Sequence, residues 1–153
     1  MTADVDALSD ELSSDLQLAR THLEVGSDSV VMVGGGRVLA SAGGQGLFPL
    51  LTVLREVKGF KGEMAMADSV VGLAAALFAL DCPVRAVYGR VISERAESCL
   101  RKHRVHVEAD TRTSAIMNRE GTGMCPMEKI AAESEDAEQA KRRMRDLLHW
   151  DQS

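Results

Sequence analysis

The order of its predicted elements places this chain in the α/β class, with a mixed sheet of about four strands and helices on both faces. Three observations carry the prediction. An amphipathic stripe opens the chain, since Val5, Leu8, Leu12, Leu16, Ala19 and Leu23 recur at spacings of three and four. Two β-branched-rich runs then flank a glycine triplet, and strand-like and helix-like segments alternate after them.

The opening helix stops at Gly26. Ser29-Val30-Val31-Met32-Val33, Gly34-Gly35-Gly36 and Arg37-Val38-Leu39-Ala40 read as a β-hairpin. The second glycine cluster, Gly43-Gly44-Gln45-Gly46, leads into a short helix. Pro49 lies near its first turn, Leu50, Leu51, Leu54 and Val57 share one side, and Gly59 ends it. The segment Met66 to Leu80 is apolar nearly all round and predicts a buried helix. Pro83 breaks the chain, and Arg85-Ala86-Val87-Tyr88 predicts a strand.

Ser93 is placed to cap a helix running to about His103. Glu94 and Glu97 fall in its first turn and Arg101, Lys102, His103 and Arg104 in its last, the order that suits the helix dipole. Val105-His106-Val107 predicts a short strand, Thr111 to Met124 a polar loop, and Pro126 onward a final helical region. From Ala131 the composition turns to Glu, Lys and Arg, with a thin stripe of Ala137, Ala140, Met144, Leu147 and Leu148. The expected division is a domain over 1–132, whose residues 1–15 form a helical extension, and a separable charged amphipathic helix over 133–153.

Composition narrows the function. Of 153 residues, 45% are hydrophobic and 27% charged, as in an ordinary globular chain. The longest apolar run, Val70 to Leu80, is far short of the roughly 20 residues that span a bilayer, so no membrane partner is expected. The net charge of −5 and the 3% of aromatic residues argue against nucleic acid as a partner, which needs basic surface and stacking rings. Cys82, Cys99 and Cys125 form neither a disulfide framework nor a zinc-type Cys-x-x-Cys pair. With an acidic start and no apolar signal core, the expected compartment is cytoplasmic and reducing.

Two stretches resemble a known family. They are Ala67-Asp68-Ser69-Val70-Val71-Gly72-Leu73-Ala74-Ala75-Ala76 and Asn118-Arg119-Glu120-Gly121-Thr122-Gly123-Met124-Cys125-Pro126-Met127-Glu128-Lys129, with support from Ile92-Ser93-Glu94 and from Gly44-Gln45-Gly46 with Pro49. They are similar to the uncharacterised prokaryotic family called domain of unknown function eighteen-ninety-three, from about Leu16 to about Ala132. The resemblance implies a cytidine-deaminase-like, three-layer α/β/α sandwich and assigns no activity. A zinc deaminase needs His or Cys followed by Ala-Glu at one helix start and Pro-Cys-x-x-Cys at the next. Here Met66-Ala67-Asp68 takes the first place and Ser93-Glu94-Arg95-Ala96-Glu97 the second, so no metal and no cofactor are expected.

The candidate residues each carry two readings. Cys125 before Pro126 reads as a helix cap with Glu128 at the third helical position, or as a thiol activated by the helix N-terminus and served by His103 or His106. Asp68 reads as a helix N-cap or as a catalytic acid at a pocket mouth. Glu94 and Glu97 complement the dipole or, with Asp68, bind a hard cation. Gly43 to Gly46 form a turn or hold a phosphate on backbone amides. Asn118 and Arg119 lie in a solvated loop or contact an anion, with Gly121 and Gly123 allowing close approach. The leading expectation is a deaminase-like domain without zinc that binds a nucleoside, nucleotide or related phosphate-bearing ligand. Its site is expected among Asp68, Ser93, Glu94, Asn118, Arg119, Gly121, Gly123, Cys125 and Glu128. A Cys125-dependent enzyme and a non-catalytic interaction module stand beside it, and a second copy of the chain is the expected macromolecular partner.

Overall fold

The computed structural model describes residues 8–118 and 120–150, so Val5 and Arg119 lie outside the described residues. Among these, eleven elements alternate around one open sheet. They are α1 (Asp10–Val25), β1 (Val30–Gly34), β2 (Arg37–Ala42), α2 (Phe48–Glu56), β3 (Met64–Val71), α3 (Leu73–Ala79), β4 (Val84–Ser93), α4 (Glu94–Lys102), β5 (His106–Thr113), α5 (Pro126–Glu133) and α6 (Ala137–Leu148). The sheet has five strands in the order β2-β1-β3-β4-β5. The hairpin β1–β2 and the pair β1–β3 are antiparallel, whereas β3–β4 and β4–β5 are parallel.

Two cores sandwich the sheet. On one face α1 buries Leu12, Leu16, Ala19 and Leu23 against Val31, Val33, Ala65, Ala67, Ala86 and Tyr88. The other face, with Val30, Met32, Met64, Met66, Val87 and Ile92, is covered by α2, α3 and α4, while α5 and α6 pack on α3. A helix against each face of a partly parallel sheet is the layered solution for elements with one apolar side.

One element expected as helix is a strand. The predicted helix Met66–Leu80 divides into β3 and α3, with Gly72 between them, which makes the strands five rather than four. A central strand buried on both faces has no polar alternation, so its period cannot be told from that of a buried helix. Asp68 is therefore a strand residue, and its reading as a helix N-cap is corrected. It pairs with Val30 on β1 and Gly89 on β4. The last strand also outruns its expected end, reaching Thr113 because Thr111, Arg112 and Thr113 pair with Val91, Ile92 and Ser93.

The charged C-terminal segment packs into the same core. Ala140 and Met144 of α6 are fully buried there, and Lys141 is buried between Asp81 and Glu138. Trp150, just beyond α6, lies under the Arg55 guanidinium and beside Phe48 of α2. The boundary expected after residue 132 thus coincides with no break in packing.

Candidate functional site

The parallel strands β3, β4 and β5 end on one edge of the sheet, where β2 also ends and antiparallel β1 begins. The helix starts after β2, β3 and β4 collect on that edge, as does the chain leaving β5 towards α5. Ligands of open α/β sheets bind outside the carboxyl ends of the strands. The topology carries Asp68, Ser93, Glu94, Asn118, Gly121, Gly123, Cys125 and Glu128 to this edge.

Asp68 is the most unusual group there. It is only 8% exposed. Its strand partner Val30, and Met66 two residues before it, both belong to the face covered by α2, α3 and α4, so the alternation directs Asp68 to that face. Opposite it on β4 stands Gly89, which has no side chain. Its Oδ1 accepts one N–H, from Val70 at 3.3 Å. Burial drives the carboxyl up to about 7, and the local backbone N–H groups of Val70 and Ser69 only partly oppose the rise. A carboxyl poised near neutrality, three residues before the end of β3 and level with the start of β1, is suited to exchanging a proton or to hydrogen-bonding a ligand in either protonation state.

Glu128 has a role its sequence position does not reveal. As the third residue of α5 it is placed to reach back to its own N-cap. Instead its carboxylate crosses to α3 and accepts the N–H groups of Leu73 at 2.7 Å and Ala74 at 2.8 Å. It is 8% exposed and supplies the cap that Gly72 lacks.

Cys125 is the N-cap residue of α5, with Pro126 in the first turn, but makes no side-chain cap bond. Its backbone N–H donates to the Ile116 carbonyl at 2.9 Å. The thiols of Cys82 and Cys99 are both pushed up, chiefly by burial. The expected histidine partners are not at this edge. His103 caps the C-terminus of α4, whose nine residues carry it about 14 Å from this edge, and His106 begins β5, seven steps or about 23 Å from the strand's end.

Other candidates are engaged locally. The Asn118 side chain accepts from Thr122 N–H at 3.0 Å and donates to the Thr122 hydroxyl at 3.2 Å, so it ties its own loop. Gly121 adopts φ +72°, a conformation that favours glycine. Ser93 caps α4 as expected, accepting from Ala96 N–H at 3.1 Å. Glu97 is held by Arg112 and Arg101, which lower its pKa, and is not available to a cation with Asp68.

The zinc question changes with the corrected elements. The helix after the hairpin is α2 and the next is α3, and their starts read Gly46-Leu47-Phe48-Pro49 and Gly72-Leu73-Ala74. Neither offers an imidazole or thiol to a metal, so the residues present do not fit the deaminase donor set. Among the described residues no group of three or more His, Cys, Asp or Glu is arranged to hold a metal ion.

At the opposite edge a cleft of about 690 Å³ opens between the N-terminus of α1 and the β1–β2 turn, lined by Asp10, Asp15, Gly35, Gly36, Phe60 and Lys61 among others. Asp15, 6% exposed, accepts the Gly36 N–H there at 3.0 Å. A further network escaped the sequence reading. The Arg20 guanidinium lies 4.2 Å over the Tyr88 ring, and Tyr88 donates to Asp110 at 2.5 Å. Its members come from three elements, and no local spacing signals it.

The sequence profile of the family described as Domain of unknown function (DUF1893) matches residues 18–148, which extends past Ala132 through α6. No curated protein matches the chain. Among solved structures, a DUF1893 family protein from Thermotoga maritima is similar at 23% identity, covering 96% of this chain and 97% of that one, with a TM-score of 0.80. That likeness shows the fold.

Proposed function

The chain belongs to the DUF1893 family, and from that premise we propose that it binds a small polar ligand at the carboxyl edge of β3 and β4, with Asp68 as the group that contacts it. The observation that carries this reading is a carboxyl nine-tenths buried, raised to about 7 and bonded only to N–H groups of the next two residues, near the edge where α/β sheets take ligands. A charge-bearing group kept in so unfavourable a place, without tying any element to another, is a candidate for function. The ligand class is a nucleoside, nucleotide or related phosphate-bearing molecule. That class rests on analogy with the cytidine-deaminase-like fold the resemblance implies, without its zinc chemistry.

The second reading is a cysteine-dependent enzyme. The observation favouring it is the Cys125 thiol at the N-terminus of α5 with its cap bond unmade. A thermal-shift screen against nucleosides, nucleotides and nucleotide sugars tests both readings, because a ligand that binds only the folded state raises its melting temperature. The Asp68 reading expects a ligand whose stabilisation disappears in Asp68→Asn and survives in Cys125→Ser. No stabilisation by any of these classes leaves the interaction module as the account to pursue.

A further inference from the structure

Gly72 is glycine for a reason its own backbone does not give. Its φ of −99° and ψ of 179° are ordinary extended values that any residue adopts. Its place as N-cap of α3 favours Ser, Thr, Asp or Asn, whose side chain would accept from the first turn. Any side chain begins with a Cβ, however, and a Cβ at Gly72 would stand 2.5 Å from each Glu128 carboxylate oxygen. The chain therefore forgoes a local cap on α3 and draws the cap from 55 positions away. The exchange leaves α5 short as well. Glu128 abandons the reach back to its own N-cap, and Cys125 supplies no side-chain cap in its place.

The one carboxylate thus caps α3 and leaves the start of α5 without a side-chain cap. Besides α3, α5 packs on α6, and its own buried area is small. Of its eight residues only Glu128 and Ala131 are buried, with Met127 and Ile130 half-buried against the core. A segment with so few buried apolar contacts belongs to the low-stability end of a fold and opens before the rest. We propose that Glu128 and Gly72 form a latch, and that α5 is a strap which docks on α3 with the carboxylate seated and releases as a unit when it leaves. In the released state the Leu73 and Ala74 N–H groups face solvent at the carboxyl edge. The latch depends on no ligand and stands whether or not Asp68 binds one.

Native-state hydrogen exchange of the full chain, read by mass spectrometry on peptides from α5 and α1, tests the latch in Glu128→Ala, Glu128→Gln, Gly72→Ala and the Gly72→Ala/Glu128→Ala double variant. Each Glu128 variant should speed α5 exchange about tenfold or more, the effect of losing one or two charge-assisted hydrogen bonds, and α5 should exchange faster than α1 in the parent and in every variant. Gly72→Ala should do the same by displacing the carboxylate. In the double variant, Gly72→Ala should add nothing, because the group its Cβ would meet is gone. Unchanged α5 exchange in Glu128→Ala would overturn the latch. Accelerations that multiply in the double variant would also overturn it, as would α5 exchange no faster than that of α1. Should Gly72→Ala alone fail to fold, its rescue by Glu128→Ala supports the latch, and failure of the double variant overturns it.

Discussion

Asp15 beside the β1–β2 turn and Asp68 in the second half of β3 are buried to nearly the same extent, 6% and 8% exposed, yet they do different things. The Asp15 carboxylate accepts an N–H from Gly36, 21 residues on, and so ties α1 to the hairpin. Glu128 does likewise over a longer span, tying α5 to α3. Asp68 takes its hydrogen bonds from the backbone N–H groups of the next two residues, Ser69 and Val70, and ties no element to another. A buried carboxylate is costly unless its lone pairs are satisfied. Where the bonds join distant elements, the architecture explains the residue. Where they do not, the residue stands as an unexplained cost at the edge where this class of fold takes ligands.

The sharpest way to break the contrast is to neutralise Asp68. With a folded pKa of about 7 against 3.8 for the ordinary side chain, the folded state holds the proton more tightly than the unfolded state. The stability tied to this group is therefore full below about pH 4 and is lost as pH rises through 7. Asp68→Asn should accordingly be more stable than the parent at pH 8, by up to about 4 kcal/mol at roughly 1.4 kcal/mol per pKa unit, with the gap closing towards pH 4. Urea denaturation at several pH values measures this. A variant less stable than the parent at pH 8 would make Asp68 another structural carboxylate. A variant both more stable and unable to bind ligand is what a functional group kept at the expense of stability looks like.

The staples should respond in the opposite direction. Glu128→Ala should destabilise by about 2–3 kcal/mol, since two N–H groups, one buried and one part-buried, lose a charged acceptor. Asp15→Ala should cost less, about 1 kcal/mol, because it frees a single N–H at the exposed Gly36. Both are read from denaturant midpoints at pH 7. A neutral Asp15→Ala would show that burial, rather than the bond, is what Asp15 shares with Glu128.

The smallest effect concerns the thiols. Cys125 should alkylate faster than Cys82 or Cys99 near neutral pH, because burial raises the pKa of the other two while Cys125 stands at a helix N-terminus. Iodoacetamide labelling mapped by mass spectrometry checks the order. If Cys82 or Cys99 reacts first, the cysteine-enzyme reading loses its basis.

Much of the fold could be read from the residues. The hairpin, the Pro49 helix, the Ser93 cap and the start at Pro126 each carry local chemistry, namely a glycine turn, a fixed φ, a hydroxyl acceptor and a missing N–H. The segment Met64 to Ala79 could not, because a strand buried on both faces and a small buried helix are alike in composition. Gly72 was the one available signal, as the break inside that apolar run. Which residues reach the carboxyl edge was legible, and what each does there was not. Asp68 and Glu128 stood out by type and position, but Asp68 was expected on a helix, and nothing local shows that Glu128 caps a helix 55 residues earlier. The packing of α6 was hidden in the same way, since Ala140 and Met144 make too thin a stripe to announce full burial.

The central claim is that Asp68 is a buried carboxyl held near neutrality. Carbon-13 NMR of the side-chain carboxyl, titrated from pH 4 to 9 and assigned with Asp68→Asn, measures it in the folded protein. The account predicts a single resonance that moves with a midpoint near 7 and is missing in the variant. A midpoint below 5 would show that Asp68 is solvated or paired, and would remove the observation on which the proposed site rests.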